Sequence, residues 1–225
     1  MEICFSTLLK QLEINLKNNR PGEWAQKLMM PQGRLMYSNH KIPPCPSAVL
    51  ILLFEQNNQI YFPIIRRHKY NGSHSGQMAF PGGKFENADK NLIATALREA
   101  EEEVGIKPNK VSVIGTLSEL YIPVTNMQVL PVVGYTKFKP EFLLNTREVN
   151  ALFTVNINDI LTDKYKGIES RVLKGVDAKI PFYNLKNQKV WGATAMIISE
   201  FEQIILKIRE EYMKPQSKTS SNSFD

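Results

Sequence analysis

One short segment carries three glutamates at a spacing that suits metal chemistry. Glu99, Glu102 and Glu103 stand at positions i, i+3 and i+4, which places their carboxylates on one face of a helix. Carboxylates in the C-terminal half of a helix repel one another and are disfavoured by the helix dipole. A hard divalent cation would remove both penalties, because Mg²⁺ takes carboxylate oxygens and commonly joins them to substrate phosphates. The spacing alone leaves a solvated acidic helix face as an equally good interpretation.

The helix that must position these carboxylates is predicted over residues 92–104. Four apolar residues fall on a separate arc of its helical wheel: Ile93, Leu97, Ala100 and Val104. Gly105 stands where a helix commonly ends. Arg98 is four residues from Glu102 and is therefore expected beside it. Glu101 points away from the acidic face, which predicts a solvent-exposed side chain.

The rest of the pattern predicts an α/β (α+β) fold with a mixed β-sheet between helices. Further helices are expected over residues 5–16 and 193–212, and strands over 48–54, 60–65, 111–117, 129–135, 151–155, 172–176 and 180–183. The first two strands are separated by Glu55-Gln56-Asn57-Asn58, which suits a hairpin turn, and a short helix is expected after 151–155. Residues 70–83 contain glycine, serine and histidine and are predicted to form a functional loop. The irregular interleaving of strands and helices favours the mixed sheet.

Composition narrows the class of protein further. The chain has 225 residues, 43% of them hydrophobic, which excludes a wholly disordered, collagen-like or coiled-coil chain. Its longest apolar run, residues 48–54, is too short to span a membrane. Lys+Arg 28 against Asp+Glu 22 gives +6, a mild field that suits phosphate ligands, whereas the lack of a long basic run argues against nucleic acid. Cys4 and Cys45 have no metal-ligand spacing, and no signal-peptide pattern is present, so we predict a cytoplasmic protein.

The segment around the glutamates resembles the Nudix hydrolase family. The family motif is Gly, five residues, Glu, seven residues, then Arg-Glu-apolar-X-Glu-Glu-X-Gly-apolar. Eight positions match it: Gly83, Arg98, Glu99, Ala100, Glu102, Glu103, Gly105 and Ile106. Two departures are present, because Asp89 stands where the first Glu is usual and one extra residue separates it from Arg98.

Within that family the chain is similar to the coenzyme A diphosphatase branch. The shared features are Gly76-Gln77-Met78-Ala79-Phe80-Pro81-Gly82-Gly83 with His74-Ser75 before it, the segment at 122–126, and Leu130-Pro131-Val132-Val133-Gly134. Gly72 occupies a position where that branch carries Arg, and Arg66, Arg67 or Lys69 are candidates to replace it. The resemblance covers roughly residues 48–195.

The resemblance implies a fold and an arrangement of domains. It implies a Nudix-like α/β/α sandwich, with residues 41–212 as the Nudix hydrolase domain. Residues 1–40 are then an N-terminal helical extension, whose helix at 5–16 is expected outside the main core and could support a homodimer. Residues 213–225 are expected to be a disordered tail.

The resemblance also implies a reaction. It is hydrolysis of the diphosphate bond of coenzyme A or its derivatives, which gives 3′,5′-ADP and 4′-phosphopantetheine. Mg²⁺ or Mn²⁺ would be held by Glu99, Glu103 and Glu102, with the Gly83 carbonyl as a further candidate. Arg98 would hold the carboxylates in place. We favour Glu102 or Glu103 as general base, and an acidic residue from a later loop, Glu119 or Glu148, is a competitor.

Five residues are candidate substrate ligands: Arg66, Arg67, His74, Gln77 and Lys84. One of the two arginines should face the cleft by strand alternation, and the other should lie in solvent. His74 and Gln77 could instead stabilise their loop, and Lys84 could face solvent. Alternative functions are a Nudix diphosphatase acting on ADP-ribose or NADH, an inactive ligand-binding module that kept the fold, and a protein-interaction domain.

Overall fold

The computed structural model describes residues 3–37, 41–68, 75–173 and 175–213. Five α-helices lie in these ranges: α1 Phe5–Asn18, α2 Glu23–Lys27, α3 Leu92–Val104, α4 Ile157–Ile160 and α5 Ala193–Met213. The predicted helix at 92–104 is confirmed at both ends. The helices predicted at 5–16 and 193–212 are confirmed and continue slightly further, whereas α2 was not predicted.

Eleven strands lie in the described residues. They are β1 Cys45–Gln56, β2 Gln59–Arg67, β3 Met78–Ala79, β4 Gly82–Lys84, β5 Ser112–Thr116, β6 Leu120–Ile122, β7 Met127–Tyr135, β8 Val149–Asn156, β9 Lys166–Leu173, β10 Val176–Leu185 and β11 Gln188–Trp191. Eight of them form one sheet with the path β3-β2-β1-β7-β5, on which β4 pairs with β1, β6 with β7 and β8 with β2. The other three form a small antiparallel sheet.

The long strand β1 organises the large sheet. It pairs antiparallel with β2 through a two-residue turn at Asn57 and Asn58, which both have positive φ, as predicted for this hairpin. It pairs parallel with β7 over nine residues and antiparallel with β4. The mixed sheet that the sequence predicts is therefore confirmed.

Alternation along β1 divides the core into two layers. Ile51 and Leu53 pack on the side of α1 and α5, whereas Leu50 and Leu52 pack with Ala100 and Val104 of α3 on the other side. Helices thus cover both faces of the sheet, which is the expected α/β/α sandwich.

The N-terminal helices are part of the main core, so the expectation that residues 5–16 lie outside it is wrong. Leu8, Leu12 and Leu16 are buried in the same cluster as the inner residues of α5. Because this apolar stripe is covered by the chain itself, it is not a surface on which a second copy could dock. The boundaries predicted at residues 40 and 212 stay predictions.

Two local predictions are corrected by the strand pairing. The stretch 172–176 is not one strand, because β9 ends at Leu173 and β10 begins at Val176. The predicted loop 70–83 contains β3 and the start of β4, while its residues 70–74 lie outside the described residues, as do 214–225 of the predicted tail. Within the ranges given above, no helix has the length and apolar character needed to cross a bilayer.

Candidate active site

Helix α3 presents the acidic face that its spacing predicts. Its N-terminus is capped by Asn91, whose Oδ1 accepts a hydrogen bond from the Ala94 amide at 2.9 Å, and it ends at Gly105 with φ 76°. Glu101 pairs with Lys107 at 2.7 Å and does not line the cleft described below. The prediction that Glu101 points away from the other glutamates is therefore confirmed.

Two glycines let strand β4 approach this face closely. A Cβ at Gly83 would lie 2.4 Å from the Glu99 carboxylate, and one at Gly82 would lie 2.3 Å from the Ala48 carbonyl oxygen. A side chain at Gly82 would collide with backbone atoms, whereas one at Gly83 would displace the Glu99 carboxylate. The Gly83 backbone therefore lies directly against the Glu99 carboxylate.

Glu103 is the most buried carboxylate of the acidic face, with a side chain only 3% exposed. Its Oε2 accepts a hydrogen bond from the Gly82 amide at 2.9 Å, and its Oε1 lies 3.6 Å from Arg67 Nη1. Burial raises the pKa of Glu103 to about 7, although the Gly82 amide and Arg67 oppose the rise. Burial also raises the pKa of Glu99. Both carboxylates are thus poorly solvated, a condition that favours a bound cation.

Arg98 connects the acidic face to the loop before α3. Its Nη1 donates to Glu99 Oε1 at 3.0 Å and to Glu102 Oε2 at 3.1 Å, and its Nη2 donates to the Lys84 carbonyl at 3.0 Å. The Arg98 guanidinium also binds both carboxylate oxygens of Asp89 and holds the pKa of that carboxyl far below its usual range. Asp89 therefore serves as a counter-ion of Arg98.

A cleft of about 540 Å³ opens over β4 and α3. Seven of the residues proposed from the sequence line it: Arg67, Gln77, Gly83, Lys84, Glu99, Glu103 and Glu148. Glu102 is half exposed beside Arg98 and is not among the lining residues. His74 lies outside the described residues.

The two arginines of β2 point to different neighbours, as strand alternation predicts. Arg67 faces the cleft and Glu103, whereas Arg66 donates to Asn150 Oδ1 at 2.7 Å and its guanidinium lies 5.8 Å from the centre of the Phe153 ring. Arg66 is not among the residues that line the cleft. The structure therefore gives no support to a substrate contact by Arg66.

Of the two later acidic residues, Glu148 is the one that reaches the site. It lines the cleft, and its charge contributes to the raised pKa of both Glu99 and Glu103. Asn145 Nδ2 donates to its Oε1 at 3.1 Å. Glu119 is hydrogen-bonded to Gln128 and does not line the cleft.

Two of the lining residues to which sequence reasoning gave no role carry polar groups that bear on the site. Glu86 lies 3.8 Å from Arg98 and is the fourth carboxylate near that guanidinium, after Asp89, Glu99 and Glu102. Thr125 lies on the turn between β6 and β7, and its Oγ1 is buried with no hydrogen-bond partner among the described residues. The only signal in the sequence was position: Thr125 lies in the segment 122–126 that matches the coenzyme A diphosphatase branch, and Glu86 lies between Gly83 and Asp89 of the Nudix motif.

The donor set fits a hard divalent cation, although the described residues contain no ready-made cluster of three or more His, Cys, Asp or Glu ligands. The available donors are carboxylate oxygens of α3 and the backbone of Gly83, which is held against Glu99. Oxygen donors of this kind suit Mg²⁺ or Mn²⁺, and such ions commonly complete their coordination with waters and substrate phosphates. These residues therefore fit an open metal site, in which the protein supplies part of the coordination and waters and substrate supply the rest.

Comparisons with known proteins agree with this fold. The NUDIX domain family model matches residues 44–173. A protein described as an uncharacterized Nudix hydrolase NudL from Yersinia pestis (strain Pestoides F) is 37% identical over 141 residues, which is 62% of this chain and 70% of that protein. The same values hold for its counterpart from Yersinia pseudotuberculosis serotype O:1b (strain IP 31758). Among solved structures, the Nudix hydrolase RenU from M. smegmatis aligns with a TM-score of 0.53 at 15% identity, covering 80% of this chain and 94% of the other.

The sandwich fold with an acidic helix beside a cleft is shared with that solved Nudix hydrolase in its overall architecture. Because the family model covers more than half of the sequence, the chain belongs to the Nudix family. It is a Nudix hydrolase, an enzyme that hydrolyses nucleoside diphosphates linked to another group. Nudix hydrolases generally use divalent metal ions, in agreement with the donor set of α3.

Proposed function

We propose that this enzyme hydrolyses the diphosphate bond of coenzyme A or its derivatives and releases 3′,5′-ADP and 4′-phosphopantetheine. The observation that carries the proposal is that the segment similar to coenzyme A diphosphatases and the glutamates of the Nudix motif meet in one cleft. Residues 77–84 form one wall of it, and Glu99 and Glu103 of α3 lie beside them. The relatives named above agree with a Nudix hydrolase and leave the substrate open.

The proposed metal ligands are Glu99 and Glu103, with Glu102 and the Gly83 carbonyl as further ligands. When bound there, Mg²⁺ or Mn²⁺ neutralises charge on the diphosphate and makes the attacking water more acidic. Arg98 is a positioning residue, since it holds Glu99 and Glu102 through its own hydrogen bonds.

The proposed substrate contacts are cationic or polar groups on the cleft wall. All three of Arg67, Gln77 and Lys84 line the cleft, and in this proposal they bind the diphosphate oxygens. Arg66 is left out because it is engaged with Asn150. His74 stays a prediction.

Glu103 is our choice for the general base. It is buried in the cleft beside the proposed metal ligand Glu99, where its carboxylate would accept the proton of the water that attacks the diphosphate. Glu102 is less suitable because its side chain is half exposed and bound to Arg98. Glu148 is the remaining competitor, since it lines the same cleft.

The test is the incubation of purified protein with coenzyme A and Mg²⁺, followed by separation of the products. Each water consumed should give one 3′,5′-ADP and one 4′-phosphopantetheine, and the Glu103→Gln variant should give neither at a comparable rate. Parallel reactions contain ADP-ribose, NADH, dinucleoside polyphosphates and nucleoside triphosphates. Rapid hydrolysis of ADP-ribose or NADH without turnover of coenzyme A would overturn the substrate assignment and keep the chemistry. A lack of turnover with every compound would favour the ligand-binding module.

Three further expectations belong to this proposal. The choice between Mg²⁺ and Mn²⁺ is tested by adding each to metal-free protein. The homodimer stays a prediction, and any dimer must use a surface other than the buried stripe of α1. A cytoplasmic location also stays a prediction that rests on the two free cysteines, Cys4 and Cys45.

A further inference from the structure

The small sheet has one edge that no other strand covers among the described residues. Its strand order is β11-β10-β9, so β9 is paired with β10 on one side and has no strand on the other. The strand is eight residues long and none of its residues lines the cleft. An edge strand presents a row of unpaired N–H and C=O groups to which another strand can pair.

A contact of β10 shows which backbone groups of β9 point away from the sheet. The Lys179 N–H donates to Gln32 Oε1 at 3.2 Å, and the Lys179 carbonyl accepts from the Gln32 amide at 3.0 Å. Lys179 therefore directs both groups away from β9, so its partner Ser170 holds a non-hydrogen-bonded position of the antiparallel pair. Ser170 must then direct its own N–H and C=O outward. By alternation, Ile168 and Val172 do the same.

The side chains of these three residues suit contact with another strand. Ile168 is 70% exposed and Val172 is 68% exposed, and both are β-branched residues, which favour strands. Ser170 lies between them and is small. Neither a proline nor a bulge interrupts residues 168–172, although both commonly prevent an edge from pairing. The edge therefore has the backbone groups and the side chains that strand pairing requires.

The opposite face of β9 carries two charges of opposite sign. Glu169 and Arg171 form an ion pair with each other, and Lys189 of β11 also pairs with Glu169. The Arg171 guanidinium lies 4.9 Å from the centre of the Trp191 ring. These contacts hold both charged side chains at the edge, where Glu169 is 20% exposed and Arg171 is 38% exposed. Both charges are thus within reach of a strand that pairs with β9.

The order of these residues makes β9 complementary to itself. When two copies pair antiparallel with Ser170 on the two-fold axis, Glu169 of each copy faces Arg171 of the other. The same register places Ile168 opposite Val172, so that apolar side chains meet. A register centred on residue 169 or 171 would instead place like charges opposite each other, which is unfavourable. The charges therefore select one partner strand and one register.

From these features we propose that the edge of β9 binds a second copy of this chain, and that the two small sheets join there into one sheet of six strands. Residues 168, 170 and 172 of each copy would form hydrogen-bonded pairs, with two backbone bonds in each pair. This surface is separate from the buried stripe of α1. Because β9 does not line the cleft, the proposal is independent of the substrate of the enzyme.

The first experiment measures the mass of the full chain in solution over a wide range of concentrations by light scattering. The parent should approach twice its mass of 25.7 kDa as the concentration rises. Ser170→Pro removes an N–H that points away from β10, so the β9–β10 pairing should persist while the dissociation constant of the dimer rises by about tenfold or more. The matched control is Ser170→Ala, which keeps the N–H and should dimerise like the parent. A parent that stays monomeric, or a Ser170→Pro variant that dimerises equally well, would overturn the proposal.

The second experiment tests the register with two charge variants. Glu169→Lys leaves two positive residues beside Ser170 and Arg171→Glu leaves two negative ones, so each variant alone should be monomeric. An equimolar mixture should form a heterodimer, because opposite charges then face each other again. Circular dichroism checks the fold of each variant, and the Ser170 pair decides the question if either one does not fold. Folded variants that stay monomeric when mixed, although the parent dimerises, would refute the pairing about Ser170.

Discussion

The guanidinium of Arg98 binds the carboxylate of Asp89 through two parallel hydrogen bonds, Nε to Oδ1 at 2.9 Å and Nη2 to Oδ2 at 3.1 Å. Asp89 is fixed in turn by Thr95 Oγ1 at 2.9 Å and by the Glu86 amide at 3.0 Å. Both departures from the Nudix motif lie at this contact, since Asp replaces Glu and the spacing to Arg98 is one residue longer. The contact is made nevertheless, and it fixes the arginine that holds Glu99 and Glu102.

The Arg98–Asp89 pair should control metal affinity from outside the ligand set. Arg98→Lys keeps the charge but cannot form the two-pronged contact, and Asp89→Asn keeps the shape but removes the charge. We expect each variant to raise the Mg²⁺ concentration needed for half-maximal activity by about 10- to 100-fold. Mg²⁺ titration of the rate measures this effect. An unchanged titration accompanied by a lower Tm would show that the pair only stabilises the fold.

Replacement of Glu103 by Gln should abolish turnover while the fold persists. The neutral side chain can still accept the hydrogen bond from the Gly82 amide. It lacks the negative charge that is proposed to bind the metal and to accept a proton. We expect kcat to fall by about 10²-fold or more. The matched control is Glu101→Gln on the same helix, where the side chain pairs with Lys107 away from the cleft. Full activity of Glu103→Gln would contradict the assigned role.

Substitutions of Glu148 and of Glu119 test whether either of these later acidic residues is the general base. Glu148→Gln should lower kcat by about tenfold, because its charge acts on Glu99 and Glu103 across the cleft. Glu119→Gln should stay within about twofold of the parent rate, since Glu119 does not line the cleft. Steady-state kinetics with saturating Mg²⁺ measures both variants. A loss at Glu148 as large as that at Glu103 would transfer the base role to Glu148.

The buried carboxylate of Glu200 should be essential for stability. Its Oε1 accepts from the Gly22 and Ser118 amides at 3.2 and 3.0 Å, and its Oε2 accepts from Gln26 Nε2 at 2.8 Å. Glu200→Gln places an amide donor against these donors and should reduce the free energy of unfolding by about 2–4 kcal/mol. Urea denaturation measures the loss, with the exposed Glu210→Gln on the same helix as control. Equal midpoints would show that the N-terminal segment does not depend on this contact.

Tyr183 should make the fold sensitive to alkaline pH. Burial and the neighbouring Glu202 carboxylate, which accepts its hydroxyl at 2.6 Å, raise the pKa of Tyr183 well above its usual value. The folded state therefore keeps a proton that the unfolded state loses above about pH 10, so this contribution is complete below that pH and declines as pH rises further. Tyr183→Phe should flatten the fall in Tm between about pH 9 and 11. An unchanged slope would assign the alkaline transition to other groups.

The local sequence pattern was sufficient to predict the elements whose structure depends mainly on their own residues. Helix α3 follows from its apolar arc and from Gly105, and the β1–β2 hairpin follows from two apolar runs around Asn57 and Asn58. These elements are fixed by side-chain periodicity and turn chemistry, which are local properties. Strands β3 and β4 were hidden in a predicted loop because they are two and three residues long, and only pairing with β1 and β2 defines them.

The sequence by itself determined the sandwich of helices and mixed sheet, the acidic face of α3 and the Nudix family to which the chain belongs. Only the tertiary structure decided that α1 lies in the core, that Arg67 and not Arg66 faces the cleft, and that Glu148 rather than Glu119 approaches Glu103. The physical reason is that spacing along the chain fixes which residues share a face of one element. Contacts between residues far apart along the chain, such as Gly22 with Glu200 at a separation of 178 positions, depend on how all the elements pack together.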